Sequence, residues 1–500
     1  MTPAPAKQTQ APLLLGVDLG TQGLKVIFVD AETREVIATA GAPVTNLAPA
    51  AGYMEQAPGD WWASLCRLTR GLLRDHDIGA ERIAAIGLSG HMHSIAPLRA
   101  DGSIARNCIV WADTRSQPQA KTLALAKTRL WNPAIAPYSI AKILWLREHE
   151  PEVFREIDTI LFSKDYLRYR MTGEIATDFS DASGSLMWDF ATRRWDQALL
   201  AEFNLPVSLL PPARGSADVA GALTAVAAND LGLAPGTPVA CGGGDAACAV
   251  VGAGLRDRDT LMINAGTAVQ VIELQNEPRP FDRERANRYL FELGVAGQTF
   301  AIGALNSAGH SLEWWRGLVD PSLTHEQFEA LAADEPSAAD GPLYLPWLQG
   351  TGTPYLLDGP CGAFAQLSST ADRAILTRAV MDGVALGIRL CAEALVAPGG
   401  LAGKRALITG GVPKSPLMRQ ILSNVLPCDV AFRAFSDMSA LGAVAHAAVA
   451  GGISANAGDF LAAFDYGEVA AAPAPALQRQ YEHLYAAFKR WADQVAAGAK

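Results

Sequence analysis

The stretch LLLGVDLGTQGLKVIFVD, Leu13–Asp30, decides the fold. Its two apolar runs, Leu13–Leu19 and Leu24–Asp30, flank a glycine-containing turn, and short apolar runs around such a turn predict a β-hairpin. Downstream, Trp61–Leu73 carries apolar residues at helical spacing, and RIAAIGLS, Arg82–Ser89, predicts a further strand. Strands that alternate with helices predict an α/β fold with mixed or parallel sheets.

The hairpin pattern recurs about half a chain length later. Val17-Asp18-Leu19-Gly20-Thr21 is echoed by Ile263-Asn264-Ala265-Gly266-Thr267, and Glu81–Met92 is echoed by Gly403–Lys414. Two echoes in the same order predict a duplicated α/β domain with related halves. We therefore expect a short disordered leader over residues 1–11, an N-terminal domain over 12–246 and a C-terminal domain over 247–500. Ligands usually bind in the cleft between such domains.

Composition narrows the class of protein. A chain of 500 residues is too long for one ordinary core, which agrees with two large domains. The net charge of −10, without a Lys/Arg cluster, argues against a nucleic-acid partner. The longest uncharged run, Met438–Gly458, contains His446 and several glycines, so no membrane partner is expected. Seven cysteines without a CxxC pair favour reduced thiols in a cytoplasmic protein.

A hairpin of the form D-x-G-T is suited to binding phosphate. Backbone N–H groups at Gly20 can approach a phosphate closely, the Thr21 hydroxyl adds a donor, and Asp18 can hold Mg²⁺ through water. Lys25 is either a further cation for the phosphate or a solvent-facing side chain. One such hairpin could equally be an ordinary turn, but the second, at Gly266-Thr267, favours phosphate binding. Neither a P-loop nor a Rossmann glycine motif is present.

The stretch CGGGDAACAVVGAG, Cys241–Gly254, places a single carboxylate among small apolar residues. Burying an unpaired charge is unfavourable, so Asp245 is expected to be paired, metal-bound or functional. Aspartate after a glycine-rich turn is also a common helix N-cap, and AACAVVGA could be that helix. Local sequence alone leaves both interpretations open.

Taken together, the motifs resemble those of the FGGY family of carbohydrate kinases, and within it they are most similar to the xylulokinases. The resemblance runs from Leu14 to the last helix. It rests on GVDLGTQGLKV (16–26), YMEQAPGDWW (53–62), IGLSGHMHS (86–94), IVWADTRS (109–116), SKDYLRYRMTGEIATDFSDASGS (163–185), GGGDAACAVVGAG (242–254) and ITGGVPKS (408–415).

The resemblance implies two actin-like ATPase (ribonuclease H-like) domains and an interdomain cleft. It also implies an enzyme that transfers the γ-phosphate of ATP, with Mg²⁺, to the terminal hydroxyl of a ketopentose. D-xylulose, giving D-xylulose 5-phosphate, is the first expectation; ribulose, L-xylulose, erythritol or glycerol are the alternatives. In the family the GGGD aspartate, here Asp245, is the general base, and a positioned carboxylate suits a weakly nucleophilic sugar hydroxyl. A homodimer is common among relatives and stays open.

Further roles carry over by position. Met92, His93, Asp113, Arg115 and Asp245 are expected to contact the sugar. Alternatives are a strand-end cap for His93 and a surface ion pair for Asp113 and Arg115. Trp61 and Trp62 are expected to pack the first helix. Expected nucleotide-binding residues are Asp18, Gly20, Thr21, Gln22, Gly266, Thr267, Gly410, Gly411 and Ser415, and the expected Mg²⁺ ligands are Asp18 and Asp245. A plain turn is the alternative for the 410–415 segment.

Several positions depart from the family pattern. His91, Ser94, Ala112 and Ala246 replace the residues that are usual beside the acceptor pocket, and they put the identity of the sugar in doubt. Thr351 and Gly352 replace a usual Glu-Arg pair, which removes two charges near the cleft.

Overall fold

The structure, a computed structural model, describes residues 11–281, 288–295, 297–335, 341–357, 359–396 and 399–499. Apart from Ala11, the leader predicted over residues 1–11 lies outside the described residues. Within the described ranges, no helix is both long and apolar enough to cross a membrane.

The first half of the chain alternates strands with helices, as predicted. Its strands are β1 Leu13–Leu19, β2 Gly23–Asp30, β3 Val36–Pro43, β4 Glu55–Gln56, β5 Ile83–Gly90, β6 Ala96–Leu98, β7 Cys108–Ile109, β8 Thr159–Leu161, β9 Thr177–Asp178, β10 Trp188–Asp189, β11 Arg194–Trp195, β12 Ala213–Arg214, β13 Val219–Ala222, β14 Pro238–Ala240 and β15 Gly243–Gly244. Its helices are α1 Pro58–Asp75, α2 Gln117–Leu123, α3 Ser139–His149, α4 Pro151–Glu156, α5 Ser163–Thr172, α6 Phe179–Ser183, α7 Gln197–Glu202, α8 Ala225–Leu231 and α9 Asp245–Gly252.

The second half follows the same plan. Its strands are β16 Thr260–Ala265, β17 Val269–Gln275, β18 Tyr289–Glu292, β19 Thr299–Leu305, β20 Leu343–Leu345, β21 Ala363–Ala365, β22 Arg405–Thr409, β23 Asp429–Arg433 and β24 Glu468–Ala471. Its helices are α10 Gly309–Val319, α11 His325–Ala333, α12 Arg373–Leu395, α13 Pro416–Val425, α14 Met438–Ala450, α15 Ala457–Leu461 and α16 Pro475–Ala499.

Each half contains one large sheet built around its predicted hairpin. The first sheet has the order β13-β14-β5-β1-β2-β3, with β15 beside β5, and the second has the order β18-β19-β17-β16-β22-β23-β24. In both, the hairpin strands are antiparallel and a later strand joins the first of them in parallel: β5 beside β1, and β22 beside β16. The predicted two-domain α/β fold is confirmed.

One helix of the second half completes the core of the first. Helix α14 packs against β1, β5 and α9, and Leu441 and Val444 on it share a buried cluster with Leu14 and Ala85 of the first sheet. The approach is close enough to require small residues. A Cβ added at Gly442 would overlap the carbonyl oxygen of Cys248 in α9.

Candidate active site

The first predicted phosphate hairpin is held rigidly at its tip. The Gly20 N–H donates to the Gly23 carbonyl at 2.9 Å and closes the turn. The Thr21 carbonyl accepts from Asn46 Nδ2 at 3.1 Å and from Gln56 Nε2 at 3.0 Å, and Trp111 Nε1 donates to Thr21 Oγ1 at 2.7 Å. Because Thr21 Oγ1 accepts from Trp111, its own proton remains available to a ligand. The side chain of Gln22 is exposed beside it.

Asp18, near the end of β1, has one carboxylate oxygen that no protein group bonds. Its Oδ1 is buried and has no hydrogen-bond partner. Burial raises the pKa of Asp18 above its usual value. A buried polar atom without a partner indicates a place for a ligand or ion.

Lys25 faces Asp18 across the hairpin register and joins the two halves of the molecule. Its ammonium forms an ion pair with Asp437, the residue that precedes α14. The ion pair holds the ammonium of Lys25, whose side chain is 38% exposed, close enough to Asp18 for its charge to oppose part of the rise in the pKa of that carboxyl.

Asp245 is the first residue of α9, and the N-cap interpretation of its carboxylate is wrong. Gly244 occupies the N-cap position, and no side chain caps the helix. Asp245 Oδ1 accepts a hydrogen bond from the Ala246 N–H at 2.8 Å, and Ser439 donates its hydroxyl to the Asp245 carbonyl at 3.2 Å. Burial, and then the charge of Asp18, raise the pKa of Asp245 to about 7. The two carboxylates expected to work together thus lie within electrostatic reach of each other.

The loop after β5 presents Met92 and His93 beside Asp245. A Cβ added at Gly244 would lie 2.5 Å from Met92 Cγ, so Met92 is seated directly on the loop that carries Asp245. His93 adopts a left-handed φ of 67° and its Nδ1 bonds the carbonyl of Gly184. Burial lowers the pKa of His93 to about 4. The ring is therefore neutral near pH 7, with its proton on Nδ1 and Nε2 free to accept from a hydroxyl.

His91, expected on the pocket side, is packed inside the first half instead. Its ring is fully buried, meets Trp61 edge-on with 5.8 Å between ring centroids, and places Nδ1 2.6 Å from Ser94 Oγ. Trp61 and Trp62 are buried in α1, as expected. His91 therefore packs behind the loop of Met92 and His93.

Asp113 and Arg115 form a buried ion pair rather than the surface pair considered as their alternative. Arg115 Nη2 lies 2.7 Å from Asp113 Oδ2 and 2.8 Å from Glu55 Oε1, and its guanidinium stacks 3.8 Å from the centre of the Tyr53 ring. Asp113 Oδ2 also accepts from the Met54 N–H at 2.6 Å. The two side chains thus bond mainly to each other and to neighbouring protein groups. Their contact with a sugar stays a prediction.

Four of the five nucleotide residues predicted in the second half line one large cavity, and the fifth, Gly410, immediately precedes one of them. The cavity has a volume of about 1210 Å³, and its wall includes Gly266, Thr267, Gly411 and Ser415. Gly410 has a φ of 106°, and a Cβ there would lie 2.5 Å from the Ala265 carbonyl, so only glycine suits this close approach. Ser415 accepts from the Met418 N–H at 3.1 Å and caps α13. The wall also includes residues that sequence reasoning missed, namely Gly309, His310, Glu313, Phe328, Glu329, Met381 and Met418.

Two aromatic residues beside His93 were also missed. The Tyr138 ring meets His93 edge-on at 4.9 Å, and its buried hydroxyl has no hydrogen-bond partner. The Phe291 ring, from the second half, lies 5.8 Å from His93. Neither residue belongs to a motif that the sequence offers, and only the fold brings them to His93.

A buried charged cluster supports the loop of Asp245 from behind. Lys164 Nζ lies 2.8, 3.0 and 2.7 Å from carboxylate oxygens of Asp165, Asp178 and Asp181. Ser180 donates to Asp178 Oδ2 at 2.5 Å and accepts from the Gly244 N–H at 2.8 Å. The cluster thereby fixes the residue that immediately precedes Asp245.

The donors at the cleft fit a Mg²⁺ ion that is shared with phosphates. Among the described residues, no three His, Cys, Asp or Glu side chains come together as a metal cage. Mg²⁺ commonly takes only one or two protein carboxylates and completes its shell with water and phosphate oxygens. Asp18, with its unpartnered Oδ1, and Asp245 supply such a donor set.

Comparison with known proteins gives a consistent result over most of the chain. Residues 13–252 match the N-terminal domain, and residues 261–451 the C-terminal domain, of the FGGY family of carbohydrate kinases. A xylulose kinase of Lactococcus lactis is 29% identical over 95% of this chain and 96% of its own. A xylulose kinase of Escherichia coli is 30% identical over 88% of this chain and 90% of its own.

Solved structures agree. The crystal structure of a xylulose kinase from Rhodospirillum rubrum superposes with a TM-score of 0.88 at 28% identity, covering 97% of this chain and 99% of that one. A glycerol kinase from Plasmodium falciparum, solved with ADP, has a TM-score of 0.84 at 18% identity and covers 96% and 98% of the two chains, so it shares the fold.

Proposed function

This chain belongs to the FGGY family of carbohydrate kinases, and we propose that it phosphorylates the terminal hydroxyl of a ketopentose at the expense of ATP, with D-xylulose as the preferred acceptor. The enzyme is a phosphotransferase with an alcohol group as acceptor. The observation that carries the proposal is the pair of desolvated carboxylates, Asp18 and Asp245, set between the first hairpin and the loop of His93. Kinase relatives named for xylulose support the choice of sugar.

The two halves divide the work in this proposal. The N-terminal domain, residues 12–246, holds the acceptor with Met92 and His93. The C-terminal domain, residues 247–500, holds the nucleotide in the 1210 Å³ cavity, with Gly266 and Thr267 toward the phosphates and Gly411 and Ser415 toward the nucleoside. Gly410 supports this wall through its close approach to the Ala265 carbonyl. The first hairpin, through Asp18, Gly20, Thr21 and Gln22, receives the γ-phosphate. Asp113 and Arg115 support the acceptor side.

Asp245 acts as the general base. His93 Nε2 accepts a hydrogen bond from one sugar hydroxyl and orients the chain so that the terminal hydroxyl meets Asp245. As the new O–P bond forms and the bond to the ADP oxygen breaks, Asp245 takes the proton of the attacking hydroxyl. The raised pKa of Asp245 makes it a stronger base than an exposed aspartate, and the small apolar residues around it exclude competing water.

Asp18 and Asp245 would hold Mg²⁺, which neutralises charge on the transferred phosphoryl group. Lys25, beside Asp18, supplies a protein cation at the same end of the cleft. The ion pair with Asp437 keeps the Lys25 ammonium at the place where the phosphates of ATP are proposed to bind.

Sugar-dependent ADP release tests the activity. With D-xylulose, release is expected to depend strictly on added sugar, and kcat/KM is compared with D-ribulose, L-ribulose, L-xylulose, erythritol and glycerol. If any of these exceeds D-xylulose tenfold or more, about 1.4 kcal/mol at the transition state, the enzyme is an FGGY kinase for that acceptor. Equal ADP release with and without every sugar would overturn the kinase proposal.

Asp245→Asn tests the general base. The variant keeps the side chain's size but cannot take a proton, so kcat is expected to fall roughly 10²–10⁴-fold while D-xylulose still binds. Asp196→Asn is the matched control, because Asp196 caps α7 and asparagine caps a helix equally well. A near-normal kcat for Asp245→Asn would remove Asp245 from the catalytic role.

A further inference from the structure

The edge strand of the second sheet, β18, is docked on the first half. Asn132 brackets Leu290 with two hydrogen bonds: Asn132 Nδ2 donates to the Leu290 carbonyl at 2.8 Å, and the Leu290 N–H donates to Asn132 Oδ1 at 2.6 Å. The Glu292 N–H donates to Ser183 Oγ at 3.0 Å. One edge of β18 therefore pairs with β19 in the second sheet. The backbone groups on its other edge form hydrogen bonds with side chains of the first half.

Ser183 and Gly184, two consecutive residues of the first half, form hydrogen bonds with β18 and with His93, respectively. Ser183 accepts from Glu292, and its neighbour Gly184 provides the carbonyl that bonds His93 Nδ1. The position of β18 and the orientation of the His93 ring are thus set by two consecutive residues.

Phe291 lies on β18 between these anchor points and reaches the acceptor loop. It is only 3% exposed, and its ring centroid is 5.8 Å from that of His93 and 5.6 Å from that of Phe300 on β19. Tyr138 contacts the His93 ring as well, with centroids 4.9 Å apart. His93 therefore has an aromatic neighbour from each half of the molecule, while its Nε2 remains free.

We propose that β18 forms one wall of the acceptor site and that Phe291 is the specificity-determining residue that limits the length of the sugar. A rigid apolar ring suits the C–H face of a small polyhydroxylated chain, whose hydroxyls turn to His93 and Asp245. A ketose with one more carbon meets the ring and loses the alignment of its terminal hydroxyl with Asp245. The inference rests on the proposed function, since it assumes that His93 contacts the acceptor.

Phe291→Ala tests the wall by changing the choice of acceptor. We expect kcat/KM for D-fructose, a six-carbon ketose, relative to that for D-xylulose to rise at least tenfold, with KM for ATP unchanged within twofold. Phe291→Leu, which keeps more of the buried volume, is expected to raise the same ratio by a smaller factor. Phe291→Leu provides the test if the alanine variant does not fold.

Phe300→Leu is the matched control. Phe300 is fully buried against Phe291, and its exchange disturbs the same packing without touching the acceptor loop. Its sugar ratio is expected to stay within twofold of the wild type.

The outcomes separate the two proposals. The proposed role of Phe291 would be overturned if the ratio of kcat/KM for D-fructose to that for D-xylulose stayed unchanged in both Phe291 variants. The same change of this ratio in Phe300→Leu would also overturn it. Neither result would affect the proposed kinase activity. A wild-type enzyme that phosphorylates neither sugar would overturn the proposed function, and with it the acceptor wall.

Discussion

At the scale of single residues, the surroundings of Asp245, the proposed general base, favour proton acceptance and lower the stability of the fold. Burial and the neighbouring Asp18 charge raise its pKa to about 7, which favours proton acceptance near neutral pH. The same shift means that the folded protein holds the ionised carboxylate less well than the unfolded chain does. An aspartate chosen for stability would be paired with a cation, whereas Lys25, which lies opposite Asp18, is paired with Asp437.

The pH dependence of Asp245→Asn stability follows from this shift. An unfolded aspartate ionises near pH 4, whereas folded Asp245 keeps its proton up to a pH of about 7. The wild type is therefore progressively destabilised between pH 4 and 7, and asparagine is not. We expect the free energy of unfolding of Asp245→Asn, relative to wild type, to rise from pH 4 to 7 and to level off above, as measured by urea unfolding. A difference that does not vary with pH, or one matched by Asp196→Asn, would contradict it.

At the scale of elements, the two hairpins share one strand arrangement, and the proposed function has both of them bind the nucleotide. Asp18→Ala and Thr267→Val each remove a charge-assisted contact to the nucleotide, worth about 1.5–3 kcal/mol. KM for ATP is therefore expected to rise roughly 10- to 150-fold, with a smaller change in KM for the sugar. Steady-state kinetics in both substrates measures this.

The control for the hairpin variants is Thr237→Val. The Thr237 hydroxyl donates to the Ala234 carbonyl at 2.8 Å in a loop of the first half, apart from the nucleotide cavity. Unchanged ATP kinetics in Asp18→Ala and Thr267→Val would contradict the shared role of the hairpins.

We expect helix α6 to affect the proposed reaction through Ser180. Ser180→Ala leaves the Gly244 N–H without its acceptor, so the loop of Asp245 loses a fixed position. We expect kcat to fall roughly tenfold, about 1.4 kcal/mol, with KM for ATP unchanged, and Ser180→Thr to restore most of the loss. A Ser180→Ala variant that loses stability but keeps kcat would show that Ser180 serves packing alone.

The elements were predictable where local pattern dictates them and unpredictable where distant partners do. Glycine between apolar runs fixes the hairpins at Gly20 and Gly266, and helical spacing fixes α1. The inward turn of Arg115 depends on Glu55, and the place of Phe291 depends on Asn132 more than 150 residues away in sequence. Such contacts have no local signature, because the chain between the partners does not determine their approach.

At the scale of the whole molecule, helix α14 of the second half packs closely on α9, and Gly442 allows this close approach. Gly442→Ala forces a methyl group onto the Cys248 carbonyl, where backbone of α9 cannot yield. We expect a loss of about 1–3 kcal/mol in the free energy of unfolding. Gly71→Ala is the control, since Gly71 lies within α1 and nothing lies within 4 Å of an added Cβ. That exchange is expected to stabilise the protein by about 0.4–1 kcal/mol. Urea unfolding that gives both variants the same sign would contradict the close α9–α14 packing.

Because α14 lies late in the chain, the first half cannot complete its core until most of the chain has been translated. A ribosome that has released α9 must still add the long segment up to Met438 before the helix that covers β1 and β5 exists. At about 5–20 residues per second, that delay is roughly ten to forty seconds. For that interval the nascent first half presents an unfinished apolar face, the kind of surface that chaperones bind. The strands of its sheet are all present by then, but the face that α14 covers stays open until the second half is nearly complete.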